Sequence, residues 1–324
     1  MKESLFVSPI IIEILKRYKD IWAIDHMTCL AAWDMSTYMP EQGLSARGEA
    51  LAKAGTIKQR IFLDKEFVRL IRKAKNEKGL NDYEQGIVRV LSRSLEDYEK
   101  LPASFLEEFS KAATKSENAW KKARAQNEFS LFLPHLEKMI ELSLKKADYL
   151  GYKKSPYNAL LDEFEEGLTI GDVQQHFSAI KNPLKDLLEY IKTSPRYKKS
   201  PLENLGYDRE AMKALNLKAL RILNYDPKRM RLDVSAHPFI MSLLSTGDAR
   251  ITTRYSSKGF SESLGSTIHE FGHALHELQA GDFLQYSPIF SCASFVVSES
   301  QSLFWENFVG KDKAFIIFNT PLTV

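Results

Sequence analysis

Residues 266–277 have the sequence Ser-Thr-Ile-His-Glu-Phe-Gly-His-Ala-Leu-His-Glu, in which two histidines, His269 and His273, are four positions apart. On an α-helix these two residues lie one turn apart on the same face, so their rings can bind a single metal ion. Glu270 lies about 100° further round such a helix, where it can hold a water molecule without binding the ion itself. The motif therefore predicts a helical metal site with Glu270 as the catalytic residue.

A third metal ligand is expected further along the chain, because a catalytic zinc ion takes three protein ligands and keeps one position open. Glu299 lies 26 residues after His273, in a second stretch with helical apolar spacing. An antiparallel pair of helices would present Glu299 to both histidines. From the sequence alone, Glu306 or Glu277 could supply the third ligand instead. His276 falls near the same face and is expected to make polar contacts at the edge of the cleft.

The chain of 324 residues is predicted to be mainly α-helical. Over the first 220 residues, apolar side chains recur at intervals of three and four. Asn81 and Thr169 each precede a stretch with an acidic first turn and predict helix N-caps. We expect a single domain over residues 1–324, with a helical part at 1–228 and short strands plus the metal-binding helices at 229–324.

Two short strands are predicted between the helical parts, at 231–237 and 248–255, and would form a small sheet over about residues 229–256 beside the metal-binding helices. The period of two places four polar residues of the second strand on one face. Those residues are Asp248, Arg250, Thr252 and Arg254. This face suits a cleft, and the strand could hold a peptide by strand addition.

Within this predicted cleft, Arg250 and Arg254 are the candidates for contact with a substrate carboxylate. The alternative for both is an ion pair with Asp233 or Asp248 that stiffens the strands. His237 is predicted to lie in the groove, and the alternative is a buried, hydrogen-bonded histidine.

Composition excludes several classes of protein. The chain has 45 Lys and Arg against 42 Asp and Glu, which gives a net charge of +3. This excess of positive charge is too small for a nucleic-acid-binding surface or a polybasic membrane-binding surface. No signal peptide or stretch long enough to span a bilayer is found. Two cysteines, Cys29 and Cys292, fit a reducing compartment. We therefore expect a cytoplasmic protein without a nucleic-acid or membrane partner.

Four motifs together carry a resemblance to a known family. They are His237-Pro238-Phe239, Asp248-x-Arg250-x-Thr252, His269-Glu270-x-x-His273 and Glu299-Ser300-Gln301. Their order and spacing resemble those of the thermostable carboxypeptidase (carboxypeptidase Taq) family. The resemblance implies a helical, zincin-like metallopeptidase that forms a homodimer, binds one Zn²⁺ or Co²⁺ per subunit and removes C-terminal residues from peptides. It also implies that His269, His273 and Glu299 bind the metal, and that His237, Asp248, Arg250, Thr252 and Arg254 line the substrate groove.

Two departures from the family pattern lead to further hypotheses. Ser298 stands where the family has a histidine, and the chain ends before two further family motifs, so we expect a C-terminally truncated member. Residues 315–324 are expected to depart from the family's continuation. The main hypothesis is a metal-dependent carboxypeptidase. The alternatives are a catalytically impaired relative that binds metal or peptide without turnover, and an endopeptidase with the same metal site.

Overall fold

A computed structural model of the chain describes residues 5–198, 206–255, 260–292 and 294–319, and it is mainly α-helical, as predicted. The helices of the described ranges are α1 Pro9–Thr37, α2 Leu44–Phe62, α3 Lys65–Ala74, α4 Asp82–Lys100, α5 Ala103–Gln126, α6 Leu133–Leu150, α7 Pro156–Asp162, α8 Ile170–Thr193, α9 Arg209–Ile222, α10 Phe260–Leu278, α11 Phe295–Leu303 and α12 Lys313–Asn319. A π-helical segment, Phe304–Val309, continues α11 directly.

The predicted N-caps are confirmed. Asn81 accepts a hydrogen bond from the backbone N–H of Glu84, and the Glu84 carboxylate accepts one from the backbone of Asn81, which makes a capping box at the start of α4. Thr169 and Asp172 form the same arrangement at the start of α8. The local sequence therefore determines where both helices begin.

The small sheet lies where it was predicted, but it has three strands. They are β1 Met230–Val234, β2 Ile240–Ser242 and β3 Ala249–Thr253. The strand β3 is central, with β1 parallel on one side and β2 antiparallel on the other. Both edges of β3 are therefore paired, so the prediction that this strand could hold a peptide by strand addition is wrong.

The N-terminal helices enclose the largest apolar core. Buried side chains of α1, α3 and α4, among them Ile14, Ile71 and Leu91, pack together in its centre. Glu84 is fully buried at one end, where its carboxylate accepts hydrogen bonds from the backbone N–H groups of Val7 and Ser8, both at 2.8 Å. This single side chain therefore ties the start of α1 to the start of α4.

A second core surrounds α10, the helix that carries the histidine motif. Phe271, Ala274 and Leu278 are buried against β3 and α9, so one face of the helix is fixed on the sheet.

None of the helices that the structure describes combines the length and the apolar character needed to cross a membrane. Cys29 and Cys292 are both free thiols.

Helix α8 differs from the other long helices because none of its side chains is buried. Phe177, Leu184 and Tyr190 are among the apolar side chains that it exposes. The outer face of α11 and the π-helical segment is also apolar and exposed, as at Val296, with Phe308 exposed by 74%.

Candidate metal centre

Helices α10 and α11 pack side by side in opposite directions, as the sequence predicted. Later residues of the second element meet earlier residues of the first: Ser298 contacts His273, and Glu306 contacts His269. The helices approach closely at Gly272, where a Cβ atom would lie 2.8 Å from the Cα of Ser302. Glycine at this position therefore allows the two helices to bring their polar faces together.

Three side chains converge between these helices. The Nε2 atom of His269 lies 3.6 Å from one carboxylate oxygen of Glu299, and the Nε2 atom of His273 lies 3.7 Å from the other. One ligand atom from each residue falls within 4.8 Å of the others. Tetrahedral ligands at about 2.1 Å from a zinc ion stand roughly 3.4 Å apart. The separations and the His₂Glu donor set therefore fit a catalytic metal ion with an open position.

The far side of each imidazole is also occupied. The Nδ1 atom of His269 lies 3.0 Å from Oε2 of Glu306, and the Nδ1 atom of His273 lies 2.9 Å from Oγ of Ser298. The Ser302 hydroxyl donates to the backbone carbonyl of Glu299 at 2.8 Å and also lies 3.2 Å from Oε2 of the same residue. Both rings thus turn their Nε2 atoms towards Glu299.

Burial and charge shift the protonation of the central residues. Burial, reinforced by the negative charge of Glu299, raises the pKa of Glu270 to about 8. Burial lowers the pKa of His273 and outweighs the opposing effect of Glu299. A neutral imidazole is the form that binds a metal ion, so the lowered pKa favours the form of His273 that can act as a ligand.

The alternatives for the third ligand lie elsewhere. Glu306 contacts the Nδ1 side of His269 and is not part of the cluster that the described residues form. The carboxylate of Glu277 meets the Ser242 side chain and the backbone of Cys292. His276 is half-buried on α10 and is likewise not one of the three clustered residues.

The predicted substrate residues occupy different environments. Arg250 pairs with Asp248 at 2.8 Å, and its guanidinium stacks 4.6 Å from the ring centre of Trp33. Thr252 is fully buried, where its hydroxyl accepts from the backbone N–H of Phe239 at 2.9 Å. The ion-pair alternative considered for Arg250 is therefore realised in the structure.

The remaining two, His237 and Arg254, differ in exposure. His237 is exposed, and its ring meets the edge of Trp120 at 6.4 Å between centres. Arg254 is half-buried just after the end of β3.

Sequence reasoning missed two residues that position the centre. Gly272 occupies one of the two variable positions of the His269-Glu270-x-x-His273 motif, and it sets the distance between the helices. Asn216 of α9 is fully buried and donates to the Thr267 hydroxyl at 2.9 Å and to the Ser263 carbonyl at 3.2 Å, which fastens the first turns of α10. An asparagine on an otherwise apolar helix face was the only signal for it.

Comparison with known proteins agrees with this geometry. Residues 13–323 match the family model described as carboxypeptidase Taq (M32) metallopeptidase. The chain belongs to this family. The match extends almost to the end of the chain, so the expectation that residues 315–324 depart from the family is wrong; residues 320–324 lie outside the described residues.

Individual members of the M32 family resemble the chain closely. Thermostable carboxypeptidase 1 of Pyrococcus furiosus is 42% identical over 322 residues, which cover 99% of this chain and 64% of that protein. A solved structure of Pyrococcus furiosus carboxypeptidase superposes with a TM-score of 0.85 at 40% identity, over 98% of this chain and 65% of the other. The BsuCP crystal structure gives a TM-score of 0.90 at 32% identity, over 94% and 61%. The chain spans 58–64% of the length of the curated relatives that it matches.

Proposed function

We propose that this protein is a metal-dependent carboxypeptidase that releases C-terminal residues from peptides. The observation that carries the proposal is the convergence of His269, His273 and Glu299 within 4.8 Å, beside the buried carboxyl group of Glu270. The proposed activity is that of the family to which the chain belongs and agrees with the names of its relatives.

In this proposal the three clustered side chains hold the ion, and Zn²⁺ or Co²⁺ suits a site with two imidazoles and one carboxylate. When bound, a divalent ion polarises the scissile carbonyl and makes water more acidic. Glu270 removes a proton from the attacking water and returns it to the nitrogen of the leaving amine. Without an ion, burial and Glu299 raise the pKa of Glu270, and a cation bound beside it would favour the ionised carboxylate that accepts the proton.

We propose substrate contacts from the exposure and pairing of the five predicted substrate residues. His237 is exposed and can contact a peptide, and Arg254 is the second candidate because it lies just after the end of β3, whereas Asp248 and Arg250 pair with each other and Thr252 is buried, so these three would act by shaping the strand. We further propose a homodimer, on the resemblance, and a cytoplasmic location, in line with the two free thiols. Sedimentation of the purified protein tests the first.

The test uses an N-blocked dipeptide as substrate and the zinc-loaded chain as enzyme. We expect release of the C-terminal residue, loss of release after chelation, and loss of release in Glu270→Gln with zinc still bound. A purified chain that binds no zinc would contradict the proposal. Cleavage of a peptide blocked at both ends would indicate an endopeptidase instead.

A second candidate is a relative that binds metal or peptide without turnover. It is favoured by the ion pair of Arg250 with Asp248, which occupies one candidate for a carboxylate contact. Exposed apolar side chains on α8 and α11 also favour it, because such surfaces commonly contact another protein surface. Zinc binding without release of amino acid would support this candidate, and robust turnover by this chain alone would exclude it.

A further inference from the structure

The two histidines of the metal centre differ in what holds their outer nitrogen. Glu306 offers a carboxylate to Nδ1 of His269 at 3.0 Å, and Ser298 offers a hydroxyl to Nδ1 of His273 at 2.9 Å. Both partners come from the element that also carries Glu299. The ligand face and the supporting contacts of the site are therefore built on one pair of helices.

The chemistry of these contacts decides the tautomer of each ring. A neutral imidazole carries one N–H, and the other nitrogen is the one that can bind a metal ion. An ionised carboxylate only accepts hydrogen bonds, so Glu306 requires the proton of His269 to sit on Nδ1 and leaves Nε2 free to bind. The Ser298 hydroxyl can donate or accept, and the backbone of Ser298 also hydrogen-bonds to His273, so the orientation of this ring does not depend on the hydroxyl alone.

The position of Glu306 is suited to this task rather than to metal binding. It lies seven residues after Glu299, almost two helical turns further on, so it occupies the same face at the level of His269. It falls within the π-helical segment Phe304–Val309, a type of helix distortion that is frequent at functional sites. Its other carboxylate oxygen lies 3.7 Å from Nζ of Lys311, and only a quarter of the side chain is exposed.

We propose that Glu306 is the main positioning residue of the metal centre and Ser298 the weaker one: Glu306 holds His269 in the tautomer that presents Nε2 to the ion, and Ser298 orients His273. This inference rests on the metal site of the proposed function. It adds two residues that bind neither metal nor substrate and act through the histidines.

The first test measures zinc affinity by competition with a chromophoric chelator. Carboxylates that support a metal-binding histidine typically contribute 10–100-fold to affinity. We expect Glu306→Ala to weaken zinc binding by about 10–100-fold, with Glu306→Gln between it and the unchanged chain because the amide oxygen can still accept. Ser298→Ala should weaken binding less than Glu306→Ala does.

The matched control is Asp312→Asn, which removes the same charge from an exposed residue six positions further along the chain that caps the backbone of Ala314. It should leave zinc affinity unchanged. If Asp312→Asn weakens zinc binding as much as Glu306→Ala, charge near the site explains the effect and the proposal is overturned.

The second test reads the tautomer directly in the metal-free protein, by nitrogen-15 NMR of the imidazole side chains at pH 8. The chain has seven histidines, so the signal of His269 is assigned by its loss in His269→Gln. We expect the Nδ1–H tautomer in the unchanged chain and a mixture of tautomers in Glu306→Ala. An unchanged tautomer in Glu306→Ala refutes the positioning role.

The two proposals fail in different ways. If the unchanged chain binds no zinc, the proposed function fails while the tautomer measurement still tests Glu306. If the unchanged chain binds zinc and the Glu306 variants bind it equally well, the proposed function stands and the positioning role is wrong.

Discussion

Replacing Gly272 with alanine tests whether close helix packing builds the metal centre. The added Cβ would lie 2.8 Å from the Cα of Ser302, 3.0 Å from the carbonyl oxygen of Gln301 and 3.1 Å from Cδ1 of Trp305. Ordinary carbon contacts are about 3.5 Å or longer. Two of the three atoms belong to the backbone of α11 and cannot rotate away, so the helices must separate by about 0.7 Å.

The energetic cost follows from two opposing effects. Overpacking of this kind destabilises a protein by about 1–3 kcal/mol. Removing a glycine from a helix interior stabilises it by up to about 1 kcal/mol. We therefore expect Gly272→Ala to lower the free energy of unfolding by about 1–2 kcal/mol. A shift of about 0.7 Å also exceeds the ~0.2 Å tolerance of metal–ligand distances, so zinc affinity should fall about tenfold or more.

The matched control is Gly265→Ala on the same helix. There the nearest atom to a new Cβ is Oε1 of Glu306 at 3.8 Å, an ordinary contact. This variant should gain stability by about 0.5–1 kcal/mol and keep its zinc affinity. Thermal unfolding and chelator competition on both variants measure the two effects. If Gly272→Ala is stabilised like Gly265→Ala and binds zinc equally well, close packing at Gly272 does not set the position of Glu299.

Three further predictions concern ionisable side chains. In the metal-free protein the folded state holds the proton of Glu270 up to about pH 8, so this group's contribution to stability is complete below about pH 4.5 and is lost as the pH rises through about 8. Glu270→Gln should therefore be more stable than the unchanged chain at pH 9 by at least about 2 kcal/mol, because one pKa unit corresponds to about 1.4 kcal/mol. Urea unfolding at pH 5 and 9 tests this, and the same change in stability for both proteins would contradict it. Burial alone would raise the pKa of Glu84, but backbone N–H donors from Ser8, Asn81 and Val7 lower it. The contribution of Glu84 to stability is therefore present above about pH 4.5 and is lost as the pH falls through its lower folded-state pKa. Glu84→Gln should cost about 2 kcal/mol at pH 7 and much less at pH 2–3 by urea unfolding, and a cost independent of pH would contradict this assignment. Arg250→Met removes the contacts with Asp248 and Trp33 and should cost about 1 kcal/mol without changing zinc affinity; an unchanged urea midpoint would show that these contacts do not stabilise the sheet.

Features set by neighbouring residues in the chain could be predicted from the sequence. The two histidines share a helix face because they are four residues apart, and the caps at Asn81 and Thr169 depend on residues three positions away. The mainly helical fold and the position of the small sheet followed from the period of the apolar residues. The convergence of Glu299 on the histidines followed from ligand number and the length of the connection. The single-domain interpretation stays a prediction.

Features set by a distant partner could not be predicted in the same way. The strand β2 has only three residues and no apolar alternation, so its pairing, and with it the central position of β3, depends on tertiary contacts. The role of Gly272 depends on which backbone atoms of α11 lie opposite.

Glu306 combines both kinds of information. Its spacing from Glu299 put it on the ligand face, which made it a reasonable third ligand. The antiparallel order of the helices instead sets it against the outer nitrogen of His269, so a carboxylate on the correct face lies behind the imidazole rather than in front of it. Helical spacing thus identifies which acidic residues can reach a metal-binding histidine. Only the direction and depth of the partner helix decide which of them meets the ion and which meets the ring nitrogen behind it.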